Sequence, residues 1–121
     1  MIDSKVIEAF QLMWGNFPEP ALLVHKSRKI VAVNETSRKL GRVEGTSCIS
    51  YGEPESHRGC KANQVLANQQ PAFLKKKNGG KEIIAYWLPL DGYPEFYVHF
   101  NIGVMIDYNS VLGNVTLVKE L

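Results

Sequence analysis

Ile30-Val31-Ala32-Val33-Asn34-Glu35-Thr36-Ser37-Arg38-Lys39-Leu40-Gly41 is the stretch on which the fold turns. Its first residues are branched or small and apolar, the pattern of a short strand. Asn34 follows at once. Asparagine is a strong helix N-cap because its side-chain oxygen accepts from a backbone N–H one turn into the helix. Gly41 is a C-terminal stop, since a left-handed residue closes the last turn and glycine has no Cβ to oppose it. The stretch predicts a strand running directly into a helix of about two turns. Leu40 is the one large apolar side chain of that helix, so only one side of it should be buried.

Upstream, Ala21-Leu22-Leu23-Val24-His25 is a second apolar run, separated from the first by Lys26-Ser27-Arg28-Lys29. Two such runs with a short polar connection read as a β-hairpin. Before them, Ile2, Val6, Phe10, Met13 and Phe17 recur at helical spacing and line one face of an amphipathic helix. Gly15-Asn16 and Pro18 stop it. Ile7, Leu12 and Trp14 make a second apolar stripe, so the helix is greasy on more than one side. It reads either as a helix packed on its own domain or as a dimerising helix. In the second case Ile2, Val6, Phe10, Met13 and Trp14 form the interface, and charged residues at Val6 and Phe10 should give a monomer.

Downstream, residues 42–59 are broken by glycine and proline and sustain no period. Residues 60–69 look helical, with Ala62, Val65 and Leu66 inward, and Pro71 ends the run. Asn78-Gly79-Gly80 is a strong hairpin signal because such turns need positive φ. Residues 81–88 form a strand that stops at Pro89. From Phe96 to Ile106 apolar and other residues alternate, as in a half-buried strand. That alternation sets Val98 and Phe100 inward and Tyr97 and His99 outward or against a partner. Residues 111–118 make a final strand. The last three strands are either 81–88, 95–106 and 111–119, or 72–77, 81–90 and 95–107. The first register is preferred, with Phe73 to Lys77 a short strand or a loop. The order predicts an α+β domain, with one antiparallel sheet of about five strands and the middle helices covering one face.

Composition narrows the function. The chain has 121 residues, 45% hydrophobic and 21% charged, which fits one globular domain and excludes a disordered tail, a fibre or a disulfide scaffold. Its net charge of +2 (14 basic minus 12 acidic residues) is too weak to suggest nucleic-acid binding. Lys75-Lys76-Lys77 with Lys81 reads as a solvated turn. No apolar run approaches the roughly 18 residues of a membrane span, and the N-terminus lacks the pattern of a secretory signal. Two cysteines without an export signal suggest free thiols in a cytoplasmic protein.

From Phe17 onward the chain resembles the PAS family. Residues 30–41, quoted above, resemble that family's second strand running into an Asn-capped helix. Ile106-Asp107-Tyr108-Asn109-Ser110-Val111-Leu112-Gly113-Asn114-Val115-Thr116-Leu117-Val118-Lys119-Glu120-Leu121 resembles its final hairpin, with Lys119-Glu120-Leu121 in place of its closing basic-acidic-aliphatic triplet. The resemblance implies a five-stranded antiparallel sheet with helices on one face, preceded by the amphipathic helix. Residues 1–17 would then be the dimerisation or capping helix and residues 18–121 the sensory domain. It further implies a sensory module, not itself an enzyme, that responds to a small ligand or a partner. Its output would be a C-terminal effector, a histidine kinase or diguanylate cyclase, absent from this chain. A generic PAS pocket between sheet and helices would be lined by Val33, Leu40, Val65, Leu66, Tyr86, Val98 and Phe100, each equally readable as plain core.

Cys48, His57 and Cys60 are the one soft-ligand cluster. They suggest a metal site short of its fourth ligand, a thiol switch, or ordinary loop residues. Flavin-sensing members carry an Asn-Cys-Arg-Phe-type helix, and haem-binding members a His on or near the middle helix. This sequence has neither the motif nor a His within 61–69, so flavin and haem are not expected and any cofactor is unknown. No nucleophile elbow, phosphate loop or dinucleotide fingerprint is present. The competing readings are a small hot-dog-like or cystatin-like enzyme and a ligand-free protein-interaction module.

Overall fold

Asn34 caps its helix as the sequence predicts. In a computed structural model that describes residues 4–50 and 59–108, its backbone is extended and its Oδ1 accepts from the Ser37 N–H at 2.9 Å. The helix it starts, α2, spans Glu35–Lys39, and Gly41 closes it at φ +89°. Helix α1 spans Ser4–Trp14 and α3 spans Ala62–Asn68, with a 3-10 turn at Cys48–Ser50 between α2 and α3. The strands are β1 (Ala21–His25), β2 (Ile30–Val33), β3 (Ala72–Asn78), β4 (Lys81–Pro89) and β5 (Phe96–Ile102). They form one antiparallel sheet in the order β2-β1-β5-β4-β3.

The strand that only the second register contains does form. Residues 72–78 are a full strand, paired from Ala72 opposite Trp87 to Asn78 opposite Lys81. Gly79 and Gly80 make the intervening turn at φ +58° and +86°. The preferred register passed over this strand because its three lysines mask the alternation; they lie toward one edge of the sheet, where solvent is available. The final strand expected over 111–119 lies outside the described residues, as do Ile2 and His57.

Both faces of the sheet are covered, by different elements. Leu22, Val24, Ile30, Val33, Ala85, Trp87 and Tyr97 pack with Ala62 and Val65 of α3. Ala21, Leu23, Ala32, Phe96, Val98 and Phe100 face the other way and pack with Val6 and Phe10 of α1. A bulge lets β2 present Val31 to the α1 face beside Ala32, since the register slips between Leu23 and Val24.

The outward orientation expected for Tyr97 and His99 is corrected. Tyr97 is 1% exposed, and both side chains stand on the α3 side, His99 stacked on Trp87. The alternation along β5 is real, but both of its phases face a covered layer, with Tyr97 buried and His99 half-buried, so it does not mark a solvent face. The long strand expected to Ile106 stops at Ile102. Gly103 takes φ +100° there, and a Cβ at that position would sit 2.5 Å from the Glu82 carbonyl oxygen.

Candidate functional site

Helix α1 is held to the sheet by Val6 and Phe10, one turn apart. Trp14 follows one turn later. Its ring lies 4.9 Å from Phe100 and edge-on to Phe17 at 5.2 Å. Phe100 stacks in turn on Tyr86 at 4.8 Å with the rings 8° from parallel, as directly opposed residues of β4 and β5. Phe73 continues the row from β3.

A groove of about 270 Å³ runs beside this helix. One wall is the α1 stripe Lys5, Ala9 and Met13, at positions i, i+4 and i+8. The other is the β4–β5 turn, through Leu90, Asp91 and Tyr93. Val6, Phe10, Trp14 and Val98 complete the lining. The groove is apolar and aromatic, with a cation on the helix side and a carboxylate on the turn side. Ligand sites share that chemistry: an apolar body with few polar anchors.

The opposite face holds a second cluster. Cys48 Sγ lies 3.9 Å from the Tyr97 hydroxyl, and the Arg28 guanidinium sits over the Tyr97 ring at 5.8 Å. Arg28 also donates to the Asn63 side chain on α3 and accepts, through its carbonyl, from the Cys48 N–H. Next to them Trp87 and His99 stack at 4.8 Å. His99 Nδ1 lies 2.9 Å from the Tyr86 carbonyl oxygen; since a carbonyl can only accept, Nδ1 carries the proton. Burial pushes the Tyr97 hydroxyl far above its usual range, with the Cys48 thiol adding to the shift and Arg28 opposing it. Burial likewise raises the Cys48 thiol, partly offset by the Tyr97 hydroxyl and Arg28.

These shifts have a readable sign. Both groups are acids whose folded pKa is raised, so their contribution is complete below the unfolded pKa and is lost as pH rises above it. Stability should therefore hold through neutral pH and fall above about pH 9–10, where unfolded Cys and Tyr ionise. Urea titrations between pH 7 and 11 check this; a stability unchanged at pH 11 would contradict it. Thiol reactivity follows the same chemistry. Exposed Cys60 should be labelled by a disulfide reagent at neutral pH, and half-buried Cys48 at least about tenfold more slowly. Mass spectrometry of the partly labelled protein reads the ratio.

The structure regroups the residues singled out from the sequence. Of the pocket set, Val33, Val65 and Leu66 lie on the α3 side, and Tyr86, Val98 and Phe100 on the α1 side. Leu40, at the end of α2, is 41% exposed and belongs to neither core cluster. The set therefore does not line one space. The helix set meets it instead: Val6, Phe10, Met13 and Trp14 share the groove with Val98. Of the soft-ligand set, Cys48 is on the α3 side, Cys60 is exposed, and His57 is not among the described residues. Among the described residues no three His, Cys, Asp or Glu side chains gather as metal ligands. The turn residues Leu90, Asp91 and Tyr93 were missed as site residues, because nothing local to that turn signals that α1 will lie across from it.

No protein-family model matches the sequence, and no curated protein matches it. Solved structures do. The PAS domain of BvgS from Bordetella pertussis superposes with a TM-score of 0.66 at 16% identity, over 98% of this chain and 100% of that one. A sensory box sensor histidine kinase from Vibrio cholerae gives 0.61 at 14% identity, over 85% and 96%. The phage VqmA–DPO complex gives 0.72 at 17% identity, over 98% of this chain and 62% of that one. The fold is therefore the PAS fold, as the resemblance implied, and not a hot-dog-like or cystatin-like one. Among the described residues no helix is long and apolar enough to cross a membrane.

Proposed function

We propose that this domain is a non-catalytic, cytoplasmic sensory module that takes a small apolar ligand in the groove beside α1 and passes the response to a C-terminal effector, a histidine kinase or diguanylate cyclase. The groove is the observation that carries this reading. It lies between α1 and the sheet, so an occupant acts directly on how α1 packs. A ligand that binds one packing of α1 better than another shifts the population by its difference in affinity. The fold is shared with a sensor histidine kinase and with a protein whose structure is a complex with DPO, and both support the sensory reading.

The mechanism needs no bond-making step. Phe10, Trp14 and Tyr93 supply flat apolar surface, and Lys5 and Asp91 orient whatever polar group the ligand carries. Titrating ¹⁵N-labelled protein with a set of small aromatic fragments tests it. Shift changes should gather at residues 5–14 and 90–93. Changes gathered instead at Trp87, Tyr97 and His99 would move the site to the α3 face and overturn the reading.

A second reading, a homodimer formed through α1, is favoured by Leu12 and Met13, which are 87% and 75% exposed. Large apolar side chains this exposed on one helix mark a surface suited to a partner.

A further inference from the structure

The buried carboxylate of Glu19 lies outside everything described so far. It is fully buried between Pro18 and Pro20, in the connection from α1 to β1. Its Oε2 accepts from the Gly103 N–H at 2.9 Å. Its Oε1 accepts from the Val104 and Met105 N–H groups at 3.0 and 2.7 Å. Three successive backbone N–H groups thus converge on one anion, an arrangement that requires the positive φ of Gly103. The chain leaving β5 is held by a charge belonging to the other end of the domain.

The path from α1 to that charge is short and pinned. The Phe17 N–H donates to the Trp14 carbonyl, and the Phe17 carbonyl accepts from Asn34 Nδ2 and Thr36 Oγ1. The Glu19 carbonyl accepts from Asn34 Nδ2 at 2.8 Å. Pro18 and Pro20 fix their own φ on either side, so the carboxylate has little freedom to follow the turn if that turn moves.

We propose that Glu19 is a latch coupling the packing of α1 to the path of the chain beyond β5: its carboxylate holds residues 103–105 closed, and a shift of α1 loosens them. Charge-assisted bonds to backbone N–H groups are about twice as strong as neutral ones, and losing this carboxylate would leave the Gly103 N–H buried and unpaired, with those of Val104 and Met105 nearer solvent. The turn is closed on the carboxylate, and opening to water is the response that a shift of α1 would produce. This inference is independent of whether the groove takes a ligand.

Hydrogen exchange on the whole chain tests it. Glu19→Gln keeps the shape but must turn an amide N–H toward at least one of the donors. Exchange at Gly103, Val104 and Met105 should speed up by about tenfold or more, while Leu23 and Val98 in the sheet stay protected. Val6→Ala, which loosens α1, should also speed exchange at 103–105, and should add nothing there in the Glu19→Gln background. Unchanged exchange at 103–105, equal acceleration throughout the sheet, or additive effects of the two substitutions would each overturn the latch. If Glu19→Gln does not fold, Glu19→Asp keeps the charge but withdraws it by one methylene, and the same readings apply.

Discussion

Replacing Asn34 by alanine is expected to lower the melting temperature by about 15 °C or more, the largest single-site effect predicted for a polar residue here. Asn34 is fully buried and uses its whole side chain. Oδ1 accepts from the N–H groups of Ala21 and Ser37, at 3.0 and 2.9 Å. Nδ2 donates to the carbonyls of Phe17 and Glu19. One side chain therefore caps α2, ties it to β1 and fixes the connection from α1. Alanine takes the side-chain partner from three backbone groups, the Ala21 and Ser37 N–H groups and the Glu19 carbonyl, while the Phe17 carbonyl keeps Thr36 Oγ1. Losing a cap costs about 1 kcal/mol, and each buried orphan about 1–3 kcal/mol before relaxation. A net loss of about 3–5 kcal/mol follows, a large share of the stability of a small domain.

Two controls separate these roles. Asn34→Asp keeps both acceptor bonds but sets carboxylate oxygens against two carbonyls, so it should be nearly as damaging as alanine. Asn34→Ser still caps α2 and loses the two donated bonds, so it should fall between alanine and the native protein. Denaturant unfolding measures all three. A loss below about 1 kcal/mol in Asn34→Ala would show that water replaces the missing bonds.

The second large effect concerns α1. Phe10→Asp is expected to strip the helix from the sheet, because Phe10 is 4% exposed and packed on the sheet. A charge there has no partner in an apolar setting, and removing the ring alone costs about 3–5 kcal/mol in a well-packed site. Undocking releases Trp14 from Phe100 and Phe17, so part of the tryptophan emission should move to the red while buried Trp87 stays unchanged. Leu12→Glu with Met13→Glu is the contrast. Both positions are exposed, so stability should stay within about 0.5 kcal/mol of the native value. Association should respond and folding should not. If the domain dimerises through α1, sedimentation will show the double variant as a monomer with native emission. Charging Val6 and Phe10, the dimer test suggested by the sequence, instead measures folding, since those side chains are already buried within one chain.

The hairpin of β1 and β2, the Asn34 cap, the Gly41 stop and the turn at Gly79-Gly80 were all legible in the sequence. Each rests on chemistry that acts within a few residues: a side chain reaching one turn along, or a φ that only some residues tolerate. The amphipathic character of α1 was legible for the same reason. Its destination was not, because an apolar stripe packs equally well on its own sheet or on a second copy. The sequence likewise showed the two phases of β5 but could not say which phase meets which layer.

The candidate groove and the end of β5 belong wholly to the second kind. Residues 5–14 and 90–93 share a wall only because α1 crosses the sheet opposite α3. The alternation that promised a strand to Ile106 is broken at Gly103 by a carboxylate 84 positions away in the chain. Local sequence by itself determined α1, the hairpin of β1 and β2, the Asn34-capped helix and the Gly79-Gly80 turn, since hydrogen bonding and rotamer limits act between near neighbours. Only the tertiary structure decided which faces are covered, where α1 docks and where β5 ends. Those outcomes depend on apolar burial and on one buried charge, and both act between residues that the chain itself keeps far apart.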